Sequence, residues 1–152
     1  MADEERRIDR EVKAALVEAL VQRATFEVPE ALVERHMSAR TENAVRGLAY
    51  QGIDPTKVSM DWRQYREAQR DDSVKSSKGE ILLDEIARRE GLEALPAEID
   101  AELRRYAERL RTSPEALRLK MEKEGELGAL RARIREEKTL DLLKANARLE
   151  FE

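Results

Sequence analysis

"TFEVPEALVE", residues 25–34, interrupts a chain that otherwise reads as helix almost from end to end. Phe26 and Val28 favour extended backbone. Pro29 pushes Val28 out of the α region, while its own fixed φ suits the first turn of a helix. The stretch therefore closes one helix and opens the next, and corners of this kind set off the rest of the chain. Phe26, Val28 and Pro29 are expected to form a structural hinge, with Phe26 and Val28 buried as its plug.

Upstream, Asp3 can cap a helix whose apolar residues Ile8, Val12, Ala15, Leu16, Ala19 and Leu20 fall at steps of three and four, predicting helix to about Arg23. Downstream, a helix from about Pro29 should bury Leu32, Val33, Met37, Val45 and Leu48 and stop at Gly52, a left-handed cap. Residues 53–60 read as a loop. A third helical pattern starts near Asp61 with Trp62 and Tyr65, loses its apolar stripe over "REAQRDDSVKSSKGE" (66–80), recovers it in "ILLDEIA" (81–87) and ends at Gly91. Its middle is expected to be solvent-exposed and frayed, because Ser76, Ser77 and Gly79 are poor helix formers.

Pro96 opens a fourth helix, with Ile99, Leu103, Tyr106, Ala107 and Leu110 on one face. In "TSPEAL" (112–117), Thr112 stands three residues before Glu115, a capping-box spacing with Pro114 in the first turn. A short fifth helix carries Leu117 and Met121 to Gly125. The last shows Leu127, Leu130 and Ile134, a polar step at "REEK" (135–138), then Leu140, Leu143 and Ala147. "RLEFE" (148–152) is too short and polar to assign. No period of 20 to 50 residues repeats, so a solenoid of the tetratricopeptide type is not supported.

These patterns predict an all-α protein, and composition agrees. Of 152 residues 41% are charged and 4% aromatic, which leaves room for one domain with a thin core. The 29 basic and 33 acidic residues give a net charge of -4 and are interleaved, unlike the one-sided basic face of a nucleic-acid binder. With no cysteine there is neither a disulfide framework nor thiolate chemistry, which suits a reducing compartment. No apolar run approaches the roughly 20 residues needed to span a bilayer. The start, "MADEERRIDREVKAAL", is too acidic and interrupted for a signal peptide, so cytoplasm is the expected location.

Catalytic chemistry is missing from the pattern. His36, the single histidine, has Glu34 and Glu42 nearby but not at metal-ligand offsets on its own face, and reads as a helix-surface residue. Adjacent carboxylates such as Glu4 with Glu5 and Glu136 with Glu137 diverge around a helix and read as solvated faces. The glycines are isolated caps, so no phosphate-cradling loop is present. In "RLKMEKE" and "LRARIREEK" each cation has an anion within a turn, which favours pairs along the helix. No catalytic, cofactor or metal residue is expected, and the chain does not read as an enzyme.

"FEVPEALVE", a Trp-led helix running into "ILLDEIARREGL", and the ending "TSPEALRLKMEKEGELGALRARIREEKTLDLLKANA" together resemble the C-terminal domain of trigger factor, the ribosome-associated bacterial chaperone. The likeness covers nearly all of residues 8–149 and rests on the order and spacing of these segments. It implies an elongated helical body with projecting arms that form a cradle, binding unfolded or nascent polypeptides without ATP and assisting folding and export. On this reading residues 1–152 are one domain, with a linking helix over 1–24 and body and arms over 29–91 and 96–149. The family's ribosome-docking domain and its prolyl isomerase domain of the FK506-binding type lie outside these residues. The segment "SVKSSKGE" (73–80) departs from the Ala, Val and Leu pattern of the family.

Long helices with few large core residues should leave apolar stripes partly exposed, and such surface can hold unfolded segments of varied sequence. The expected contact residues are Met37, Tyr50, Met60, Trp62, Tyr65 and Met121, chosen as adaptable or aromatic side chains. Unfolded or nascent polypeptides are the expected partners, with the ribosome reached only through the domain outside these residues. No cofactor, direct nucleic-acid or membrane contact is expected, and a weak homodimer is compatible with the pattern. The rival reading is a dimerising or adaptor protein with one fixed partner, against which the absence of a sustained heptad counts.

Overall fold

The computed structural model describes residues 1–147, and all regular structure among them is α-helix. The helices are α1 (Ala2–Arg23), α2 (Glu30–Tyr50), α3 (Trp62–Ala68), α4 (Arg70–Arg89), α5 (Pro96–Leu110), α6 (Pro114–Glu124) and α7 (Leu127–Asn146). "RLEFE" lies outside the described residues. The chain divides into two compact units: Met1–Leu16 with the chain from Leu83 onward, and Val17–Leu82. The divisions fall within α1 and within α4.

In the first unit α5, α6 and α7 close around Ile99, Leu103, Ala107, Leu117, Leu127 and Leu130, with Ala94, Tyr106, Met121 and Ile134 at the margin. Pro96 fixes the first turn of α5, and the Glu98 carboxylate reaches back to accept the Leu95 N–H at 2.8 Å. At the other end Arg111 adopts a left-handed φ of 54°, turning the chain toward α6. The expected cap at Thr112 is instead Ser113, whose Oγ accepts the Ala116 N–H at 3.1 Å. Pro114 occupies the first helical position, so the cap must be the residue just before it. Leu110, placed by periodicity on the core face, is 64% exposed, because it is the last residue of α5 and lies beyond the packed turns.

In the second unit α1 ends at Arg23 and α2 begins after Pro29, as "FEVP" requires. The expected plug is not formed. Phe26 is 37% exposed and Val28 half-buried, so the corner is set by the backbone constraint of Pro29 and not by ring burial. Of the stripe expected on α2, Val33 and Met37 are buried, while Leu32, Val45 and Leu48 are half-covered.

The polar middle of the third pattern reverses expectation. The helix breaks at Gln69, and the following segment holds Ser73 and Ser77, both fully buried, and Gly79, also buried. α4 is bounded on two sides here. A Cβ on Gly79 would lie 3.1 Å from a methyl of Val17 and 3.8 Å from one of Val21 on α1, while Arg40 of α2 donates to Ser76 Oγ at 3.0 Å. Small residues are what a helix crowded from two sides can hold. Ser77 Oγ donates to the Ser73 carbonyl one turn back at 2.7 Å, which satisfies it within the helix.

Candidate binding surface

Besides Phe26, the exposed large apolar side chains of the second unit lie around the turn between α2 and α3. Tyr50, the last residue of α2, is 89% exposed, and Ile53 and Met60 on the loop are exposed as well. Gly52, at φ 74°, takes the chain out of α2 in the left-handed region that favours glycine. Asp54 then ties a local turn by accepting the Thr56 N–H at 2.9 Å and its hydroxyl at 2.7 Å. These hydrogen bonds hold its carboxyl below the usual range. Asp61 caps α3 by accepting the N–H groups of Arg63 and Gln64 at 3.0 and 3.2 Å.

Two aromatics stiffen this turn. Trp62 Nε1 donates to the Pro55 carbonyl at 3.2 Å, and its ring meets Tyr65 edge to face with centroids 5.6 Å apart. Both are half-buried. Ion pairs anchor α3 and the start of α4 to α2: Arg66 with Glu34, and Arg70 with Glu30 at 2.7 Å. Glu80 is approached by Arg35 at 2.5 Å and by His36 Nε2 at 2.8 Å. Burial opposes ionisation of Glu80, but its two cationic-capable neighbours prevail and hold its carboxyl below the usual range. His36 is thus a clasp between α2 and α4.

Of the six contact residues expected from sequence, Tyr50, Met60, Trp62 and Tyr65 come together at this turn. Met37 does not belong with them: it has no exposed surface, being one of the largest fully buried side chains, and serves as core. Its place on the inner face of α2, one turn after Val33, explains why. Met121 lies in the other unit, half-buried against the α5–α7 core. Ile53 was missed, since a single isoleucine in a loop carries no periodic signal. The first unit also exposes Leu95, Leu110 and Leu119. Leu119 borders a groove of about 470 Å³ between α5 and α6, shared with Asp100, Leu103, Arg104, Pro114, Glu115 and Arg118.

Among the described residues no three His, Asp or Glu side chains are grouped to hold a metal, and no helix is long and apolar enough to cross a membrane. What the geometry defines is an all-α domain that presents apolar side chains to solvent on a framework of ion-paired helices. The family model described as "Bacterial trigger factor protein (TF) C-terminus" matches residues 2–145, and the chain belongs to that family, a chaperone family.

Among its relatives are trigger factor of Solibacter usitatus, 37% identical over 139 residues, and trigger factor of Koribacter versatilis, 38% identical over 136. These alignments cover 91% and 89% of this chain but 33% and 31% of the relatives, so the chain spans about a third of their length. A solved structure described as "Structures of and interactions between domains of trigger factor from Themotoga maritim" has a similar fold, with a TM-score of 0.67 at 20% identity. It covers 92% of this chain and 83% of that one.

Proposed function

We propose that this domain binds unfolded or nascent polypeptides without nucleotide, through Tyr50, Met60, Trp62 and Tyr65 and, in the first unit, Met121. The observation that carries the reading is the set of exposed apolar groups around the α2–α3 turn, Tyr50, Ile53 and Met60, in a chain that is 41% charged. Apolar contact is non-directional, so such a surface tolerates many client sequences, and the surrounding charge limits self-association. Family membership supports a role in assisting folding, and on this reading also export, in the cytoplasm. Ribosome docking and prolyl isomerisation belong to other domains of trigger factor.

The test is suppression of aggregation of several unrelated denatured proteins. The variant Tyr50→Ser, Ile53→Ser, Met60→Ser should need about tenfold more protein for equal protection, as expected when a few partly buried apolar contacts are lost. Its helical circular dichroism should be retained, because these side chains are already exposed. Protection of no client by the wild-type domain, or binding to one folded partner alone, would replace this reading with the adaptor.

A further inference from the structure

The structure gathers three cations at one ring. Tyr106 lies half-buried at the margin of the first unit's core. The Arg133 guanidinium carbon is 5.1 Å from its ring centroid, and those of Arg105 and Arg109 are each 5.6 Å away. A single carboxylate, Glu102, serves two of the three: Arg105 Nη2 lies 2.8 Å and Arg133 Nη2 3.6 Å from its Oε2. Arg109 has the ring and, among the described residues, no carboxylate. The side chains of Arg105 and Arg133 are more than half exposed, so their remaining N–H groups face water. Exposed Leu110 follows Arg109 and stands one turn beyond Tyr106.

We infer that the Tyr106 patch docks acidic residues of an unfolded polypeptide, with an adjoining apolar residue on Leu110 and the ring. The inference rests on the chaperone reading and assigns this patch a preference that the α2–α3 turn lacks. Three points favour a carboxylate. Planar guanidinium groups bind carboxylates through paired N–H donors. Glu102 already draws two of the arginines to one carboxylate oxygen, so the cluster accommodates a carboxylate. Cations held over a ring by its quadrupole keep their edges free for an anion. A nucleic-acid backbone fits less well, because Glu102 sits among the arginines and the chain as a whole carries a net charge of -4.

The experiment uses the 152-residue chain and labelled unstructured peptides of equal apolar content bearing paired Glu, Gln or Lys, read by fluorescence anisotropy. The Glu peptide should bind about three- to tenfold more tightly than the Lys peptide, the range expected for exposed ion pairs. Raising the salt concentration should shrink that ratio. Arg105→Gln with Arg109→Gln should abolish it while changing Gln-peptide affinity less than about twofold. Arg104→Gln, in the wall of the α5–α6 groove, should leave it intact. Glu102→Gln should tighten the Glu peptide further by removing the internal competitor, a gain that a merely structural cluster would not produce.

Equal affinity for the three peptides overturns the inference, as does a ratio that survives in the double variant or is lost equally in Arg104→Gln. Displacement of the Glu peptide by a single-stranded RNA oligomer at equal concentration would reassign the patch to nucleic acid. If no peptide of any charge binds, the chaperone reading falls and this one with it.

Discussion

Lys13 is buried with its ammonium among three carboxylates: Asp9 one turn back at 2.9 Å, and Glu137 and Asp141 of α7, the latter at 2.7 Å. Burial alone would lower its pKa, but the three acceptors together raise it above the ordinary 10.5. Asp9 is depressed below its ordinary 3.8 by Lys144 first and Lys13 second. A raised lysine stabilises fully below its unfolded pKa, and a depressed carboxyl fully above its own. The cluster therefore contributes in full between about pH 4 and pH 10.5, and its contribution falls away outside that window. Lys13→Met should cost about 1–3 kcal/mol at neutral pH by urea unfolding. That is less than a fully buried pair would cost, because Glu137 and Asp141 are more than half exposed. The variant should also lose less stability than wild type as the pH falls below about 4; an unchanged acid limb would show that Lys13 does not set it. Such long-range pairs are illegible in sequence, where Lys13 reads as one more solvated cation. Met37 joins the contact residues on side-chain type alone, although its place on the apolar stripe of α2 already points to the core, where it lies.

Element boundaries were the legible part, since they depend on local chemistry. Pro29, Pro96 and Pro114 mark helix starts and Gly52, Gly91 and Gly125 follow helix ends, the three glycines all at positive φ. What the sequence concealed was the packing of α4, because a polar, small-residue segment looks the same whether it faces water or two neighbouring helices. Paired substitutions separate the cases. Gly47, inside α2, has no neighbour within 4 Å of an added Cβ, so Gly47→Ala should stabilise by about 0.5–1 kcal/mol through helix propensity. Gly79→Ala should gain nothing, as the 3.1 Å approach to Val17 offsets the same propensity. Gly79→Leu should destabilise by about 1–3 kcal/mol through overpacking. Thermal unfolding of the three variants checks this, and an equal gain for the two alanines would show that α4 is not confined at Gly79.

At the scale of the whole molecule, 41% of residues are charged, and most of the ion pairs join exposed groups that contribute little each. Stability rests on small apolar cores, six buried residues around α5–α7 and Val21, Val33 and Met37 in the second unit. The unit holding the larger core is assembled from both ends of the chain, while residues 17–82 form the other without a break. That has a consequence for how the protein comes to exist. A ribosome completes the inserted unit while the segment that must close the outer one is still unmade, and loop closure across the 124 positions from Lys13 to Glu137 comes last. In pulsed hydrogen exchange during refolding, amides of α2 should gain protection before those of α7. Simultaneous protection would mean that the two units fold as one. Of the described helices α1 is made first, and its N-terminal half waits longest, because α7, which carries its ion-pair partners, is made last.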